Sequence, residues 1–184
     1  LTAMGTPPKA TFTENKGQWP AQVLYRAHIP GGVMFVERSA FTYVLFSESP
    51  LAHHGHAHQP EHVGEGKAHA YRVNFEGGHA SSSAGALKQK HYENYFIDND
   101  PARWGTECGV FGVVTLHDVW PGIDLRISGT DGIKYDFILA PGADPSLVRM
   151  RYEGQDGIEL RDGSLIVKTS VGDVVEGAPI SFRE

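Results

Sequence analysis

Apolar residues recur at every second position on both sides of an Asp-Gly pair, and that period of two is the strongest constraint in this chain. Ile123, Leu125 and Ile127 alternate with Asp124 and Arg126, while Ile133, Tyr135, Phe137 and Leu139 alternate with Lys134, Asp136 and Ile138. Successive side chains on a strand point to opposite faces, so the pattern describes a hairpin with one apolar and one solvated side. A three-residue loop, Thr130-Asp131-Gly132, puts Gly132 at the left-handed position of a bulged turn and pairs Gly129 with Ile133. Counting back, Ile127 faces Tyr135 and Arg126 faces Asp136. A slip of two residues would set Asp124 against Asp136, an unfavourable like-charge pair.

The same logic applies downstream. Ile158 and Leu160 precede Asp162-Gly163, and Leu165 and Val167 follow it, so a two-residue turn pairs Leu160 with Leu165 and Ile158 with Val167. Val148, Met150 and Tyr152 form another alternating strand. Upstream, Val23 to His28, Val33 to Glu37, Phe41 to Phe46, Tyr71 to Phe75 and Val110 to Leu116 are short β-rich runs bounded by Gly, Pro or Ser. The window from Gly85 to Tyr95 has no helical stripe and reads as loop or strand. With 22 glycines and 11 prolines in 184 residues, turns dominate over helices. The expected fold is all-β: an antiparallel β-sandwich of about ten to twelve short strands with long polar loops. Residues 1–184 are expected to form one such domain.

Two segments are too polar to bury a core. Residues 50–70 are rich in histidine and glycine, and residues 77–86 in serine, alanine and glycine. Both are expected to be mobile loops between strands. The first holds His53, His54, His56, His58 and His62, and a tract of this kind can take a divalent metal. His58-Gln59-Pro60-Glu61-His62 has the spacing of an inverted zinc-protease motif, but Pro60 between the ligands argues against the helix that chemistry needs. No other cofactor is expected.

Other chemistries find little footing. Cys108 is the lone cysteine, which excludes an intramolecular disulfide and reads as a small buried apolar residue. No G-x-S-x-G elbow, P-loop or dinucleotide fingerprint is present. Asp98 and Asp100 lie in an Asp-Asn-Asp-Pro run, which satisfies a turn more readily than it binds calcium. The formal net charge is −6, and the half from residue 98 onward carries 15 acidic against 8 basic side chains. Nucleic acid is therefore an unfavourable partner, and no apolar run reaches the length of a membrane helix. Trp19, Trp104 and Trp120 each adjoin turn residues, where an indole can stack on a sugar, anchor a protein partner or plug an end of the core.

Several stretches together carry a resemblance. They are Phe12-Thr13-Glu14-Asn15-Lys16-Gly17-Gln18, then Asn94-Tyr95-Phe96-Ile97 with Asn99-Asp100-Pro101 and Trp104, then Trp120-Pro121-Gly122-Ile123-Asp124-Leu125. The last is Lys134-Tyr135-Asp136-Phe137 with Ala140-Pro141-Gly142-Ala143-Asp144-Pro145. In this order the chain resembles the N-terminal all-β domain of large secreted bacterial proteins. Those proteins carry β-propeller-type repeats, or immunoglobulin-like repeats and a gliding-motility-associated sorting domain for type IX secretion. Asp98 stands where that pattern has glycine and Trp120 where tyrosine is commoner, and the His-rich loop is peculiar to this chain.

The resemblance implies export, an extracellular or cell-surface address, and downstream repeats of the same chain as neighbours. It supplies no catalytic residues. The expected role is a non-catalytic module for assembly, adhesion or display, with a protein or glycan at the cell surface as partner. A carbohydrate-binding module using Trp19, Trp104 and Trp120 is the alternative. A metal-dependent hydrolase, using the His tract or carboxylates around Asp98, Asp100 and Asp124, comes third.

Overall fold

The computed structural model describes residues 10–47, 66–129 and 132–182. Thirteen strands and no α-helix occur among them: β1 (Phe12–Glu14), β2 (Val23–Ile29), β3 (Gly32–Glu37), β4 (Ala40–Phe46), β5 (Ala68–Phe75), β6 (Ser82–Phe96), β7 (Trp104–Trp120), β8 (Ile123–Ser128), β9 (Lys134–Leu139), β10 (Met150–Glu153), β11 (Gly157–Arg161), β12 (Ser164–Lys168) and β13 (Val174–Glu176). Asp-Pro pairs open two single 3-10 turns, in which Asp100 accepts from the Ala102 amide and Asp144 from the Ser146 amide. The aspartates of the Asp-Asn-Asp-Pro run thus behave as turn formers.

The hairpin registers follow local chemistry. Ile127 faces Tyr135 and Arg126 faces Asp136, while Leu160 faces Leu165 and Ile158 faces Val167. Gly132 (φ +90°) and the pair Asp162 and Gly163 (φ +52° and +80°) adopt the left-handed backbone that these tight turns need.

β2 to β5 form one antiparallel meander and β7 to β9 another, and short β1 joins them by pairing with β2 on one side and β7 on the other. β10 returns to pair with β5, giving the order β10-β5-β4-β3-β2-β1-β7-β8-β9, and β6 lies along β7. The sheet curls on itself so that its halves face each other. Phe41 of β4 meets Tyr135 of β9 with ring centroids 5.9 Å apart, and Phe75 of β5 meets Trp120 of β7 at 5.7 Å. Phe12, Met34, Phe41, Leu116, Ile123, Leu125 and Ile127 are fully enclosed between them, each contributing about 1.5–3 kcal/mol by leaving water.

Three sequence expectations are corrected. Residues 77–86 are not a loose loop: Gly78 lies beneath the Trp120 indole, Ala80 is buried, and Ser82 opens β6. The segment is held by backbone bonds to neighbouring strands, from His79 to Val119, Ala80 to Arg38 and Ser81 to His117, and then by the β6–β7 ladder, while most of its side chains stay exposed. The expected loop at 50–70 ends earlier, since Ala68 to Ala70 already belong to β5, opposite Val44 to Phe46. The strands are also not all short, for β6 has 15 residues and β7 has 17. Register shifts interrupt β6 against β7, and Lys88 and Lys90 sit on β6. Bulges and lysines are the usual guards of a long edge strand against intermolecular pairing.

A second, three-stranded sheet, β11-β12-β13, packs Val167, Leu165 and Val174 onto the core. Its most consequential residue is Glu176. Tyr135 of β9 donates to Glu176 Oε2 at 2.5 Å, and Tyr152 of β10 donates to the same carboxylate at 2.9 and 3.0 Å. β9 and β10 are the two ends of the large sheet, so one carboxylate ties both. Tyr43 and Tyr71, stacked at 4.7 Å, complete the cluster, and the Tyr71 hydroxyl is buried without a partner among the described residues.

Burial, and then the charge of Glu176, push Tyr71, Tyr135 and Tyr152 far up; Tyr43 rises too, through burial and neighbouring Tyr71. A raised folded-state value favours the neutral phenol, so this stabilisation is complete below the unfolded value of about 10 and is lost as pH climbs beyond it. Urea midpoints should therefore fall above about pH 10. Phenolate absorbance from these tyrosines should appear together with unfolding. Ionisation of all seven tyrosines near pH 10 with intact β-sheet circular dichroism would contradict this.

Candidate functional site

The most elaborate polar construction lies on the outer face of β1 and β2, where the connection between them folds back over the sheet. Asn15 organises that connection. Its amide nitrogen donates to the carbonyls of Trp19, Pro20 and Val23, and its oxygen accepts from the amides of Gly17 and Trp19. An asparagine amide offers two donor hydrogens and two acceptor lone pairs, so these five contacts, in which three carbonyls share two hydrogens, use all of them. Gln18, 2% exposed, donates to the Glu14 carbonyl and to Cys108 Sγ and accepts from the Lys16 amide. Glu14 in turn accepts from the Gly109 amide at 2.7 Å. A Cβ on Gly105 would come within 2.3 Å of Gln18 Oε1, so glycine there makes room for the glutamine. Asn15 and Gln18 of the Glu14-Asn15-Lys16-Gly17-Gln18 stretch are thus committed to building a loop.

What the loop presents is Trp19. Its indole is half-buried, edge-on to Tyr95 at 5.0 Å and to Phe35 at 6.3 Å, with the Arg26 guanidinium 5.6 Å from its ring centre. Strand alternation sends Val23, Tyr25 and Ala27 into the core and leaves Leu24, Arg26 and His28 on the outside. Arg26 stands between Thr13 on β1 and Phe35 on β3. Beside it, Glu93 of β6 accepts from Thr13 at 2.8 Å and makes a short hydrogen bond with the Tyr95 hydroxyl. Partial burial works against the Glu93 charge, but these two hydroxyls hold its carboxyl below the ordinary range. Burial and the adjacent carboxylate push Tyr95 up to about 12. Partial burial and the Arg26 charge lower His28. An open groove of about 580 Å³ runs along the loop, lined by Glu14, Asn15, Trp19, Leu24, Tyr25 and Ser83 among others.

The three tryptophans thus separate. Trp120 is 2% exposed and donates its Nε1 proton to the Glu76 carbonyl; it plugs the core and offers no stacking surface. Trp104 is 39% exposed and meets Phe96 edge-on at 5.3 Å across the β6–β7 ladder. Trp19 lines the groove. His53, His54, His56, His58 and His62 lie outside the described residues. Cys108 is fully buried, and burial pushes its thiol up.

The carboxylates that a hydrolase would draw on are each occupied locally. Asp98 pairs with Arg103 at 2.6 Å, Asp100 caps its turn, and Asp124 bonds His117 Nδ1 at 2.9 Å and the Asp118 amide at 2.8 Å. Burial opposes the Asp124 charge, yet the Asp118 amide and His117 hold it below its usual value. This pins the bulge at Asp118, where φ is +48°. Ser82 stands opposite His117 in the β6–β7 ladder, but its hydroxyl makes no bond to the imidazole. Sequence does not single out Arg26, Glu93 and Tyr95, because nothing local links position 26 to positions 93 and 95.

Removing the Asn15 amide should release the whole β1–β2 connection. Asn15→Ala is expected to cost about 1–3 kcal/mol in urea unfolding, since several part-buried backbone groups lose partners, and to shift Trp19 emission to the red. Trp120→Ala should cost about 3–5 kcal/mol as a core truncation, whereas Trp104→Ala should cost less than about 1.5 kcal/mol. Equal effects of the two tryptophan variants would contradict a buried Trp120 and an exposed Trp104.

Comparison with known proteins adds one match. Residues 12–184 match the family described as Domain of unknown function (DUF7948), beginning at the first residue of β1. No curated protein and no solved structure matches the chain. Since the matched region covers nearly the whole sequence, the chain belongs to the DUF7948 family.

Proposed function

We propose that this domain is a non-catalytic recognition module of a large exported bacterial protein, acting outside the cell or at its surface in assembly, adhesion or display. The observation that carries the reading is the contrast between two sets of polar side chains. Asn15, Gln18, Glu37, Asp124 and Glu176 are tied up in bonds that hold the fold, such as the bidentate pair of buried Glu37 with Arg72 at 2.7 and 2.8 Å. Trp19 and Arg26 instead stay half-buried beside one another on the outer face of β2, and Trp104 is exposed at the start of β7. Rigid scaffolds that display a few aromatic and arginine side chains on a loop-built surface are suited to binding.

The resemblance to secreted bacterial proteins supports the exported address, type IX secretion as its route, and downstream repeats of the same chain as partners. Carbohydrate binding is the second reading, favoured by Trp19 in the groove and by the exposed Trp104–Phe96 pair.

Protease treatment of intact cells producing the native protein tests the address. An antibody against this domain should lose its epitope while a cytoplasmic marker survives. Persistence of the epitope until lysis would overturn the reading.

A further inference from the structure

The strand edges of this fold are not equally protected. β6 is interrupted by register shifts and carries Lys88 and Lys90, features that turn other strands away. β11 has neither. It is an end strand of the small sheet, pairing with β12 alone among the described residues, and its register runs from Gly157 to Arg161 without a shift. The two-residue Asp162-Gly163 turn makes Arg161 and Ser164 a hydrogen-bonded pair. Hydrogen bonding alternates along an antiparallel ladder, so Gly157, Glu159 and Arg161 direct their backbone groups to β12. Those of Ile158 and Leu160 point away from it, and no other backbone group among the described residues meets them. Their side chains are exposed as well, Ile158 at 45% and Leu160 at 73%.

We propose that β11 is a self-pairing edge, through which two copies of this chain join antiparallel about a two-fold axis at Leu160. The sequence of the strand is what selects a second copy. About that axis Leu160 meets Leu160, and Glu159 of each copy stands opposite Arg161 of the other. Opposite charges facing across two strands are favourable, and like charges are not. A slip of two residues one way sets Glu159 against Glu159, and the other way Arg161 against Arg161, so charge chooses the centred register. An unrelated strand could meet the same backbone groups, but a copy of β11 necessarily supplies this matched set of leucine, acid and base.

In the centred register the outward N–H and C=O groups of the two Leu160 residues bond reciprocally. Leu160 shares its face with Leu165, which packs on the core, so Leu165, Leu160 and their counterparts form one apolar row across four strands. The two three-stranded sheets become one of six strands, and the isologous contact closes without propagating. This pairing uses the small sheet and does not depend on what the outer face of β1 and β2 recognises.

A five-residue strand buries far less than the roughly 1,200–2,000 Å² of a stable interface, so the pair is weak. Sedimentation equilibrium of the 184-residue chain at up to about 1 mM should show a reversible monomer–dimer equilibrium. Leu160→Lys and Glu159→Arg should each weaken it at least about tenfold with circular dichroism unchanged, because the two-fold axis doubles every substitution. Exchanging the charges, by Glu159→Arg with Arg161→Glu, should restore it. Leu160→Cys, oxidised with diamide, should link into a dimer, since a hydrogen-bonded pair holds its Cα atoms about 5.5 Å apart, within disulfide reach. Glu159→Cys should not link, and the native Cys108 is buried and does not compete.

A chain that stays monomeric to about 1 mM would overturn the proposal. So would a dimer indifferent to both Leu160→Lys and Glu159→Arg, or faster linking through Glu159→Cys than through Leu160→Cys.

Discussion

A single carboxylate, Glu176, receives hydroxyl protons from both ends of the ten-stranded sheet, and the closure of this fold depends on that convergence. A curled sheet of this length exposes two end strands, each with unsatisfied backbone groups and a partly covered apolar face. Here Tyr135 of β9 and Tyr152 of β10 reach the same side chain, so β13 works as a clasp. The rings beneath, Tyr43 and Tyr71, lie against the same seam and supply apolar area at the place where the polar tips meet. Tyrosine suits the position because one end is apolar and the other can donate a hydrogen bond.

The candidate site depends on this closure only indirectly. It occupies the outer face at β1, the three-residue strand that joins the two meanders. A strand so short could not hold its place by ladder bonds alone. The connection after it, fastened by Asn15 and Gln18, lays Trp19 over the outer face while Phe12 enters the core on the inner one. The same short stretch thus links the two halves of the sheet and presents Trp19 on its outer face.

Legibility from sequence tracks contact distance. The pairings of Ile127 with Tyr135 and Leu160 with Leu165 are readable because a tight turn and an alternating pattern determine them within a few residues. The turn role of Asp100 is legible for the same reason. Ser82 to Ala86 read as loop and fold as strand, since a serine- and alanine-rich strand has no pattern of its own and is fixed by β7 alongside it. Trp120 and Trp104 carry the same local turn signature, yet one is in the core and the other on the surface. Only the placement of Phe75 and Phe137 around Trp120 decides that. Glu176 is invisible in sequence as a special residue: a glutamate at a strand position is ordinary until distant tyrosines give it meaning.

Hydrogen exchange of the Glu176→Ala variant, followed strand by strand, tests the clasp directly. Loss of two charge-assisted bonds should lower stability by about 2–4 kcal/mol. Exchange should accelerate together in β9, β10 and β13, with β2 and β3 much less affected, and Glu176→Gln should show a smaller change of the same pattern. Unaltered exchange in β9 and β10, or an acceleration confined to β13, would show that the two ends of the sheet are held together by something other than this carboxylate.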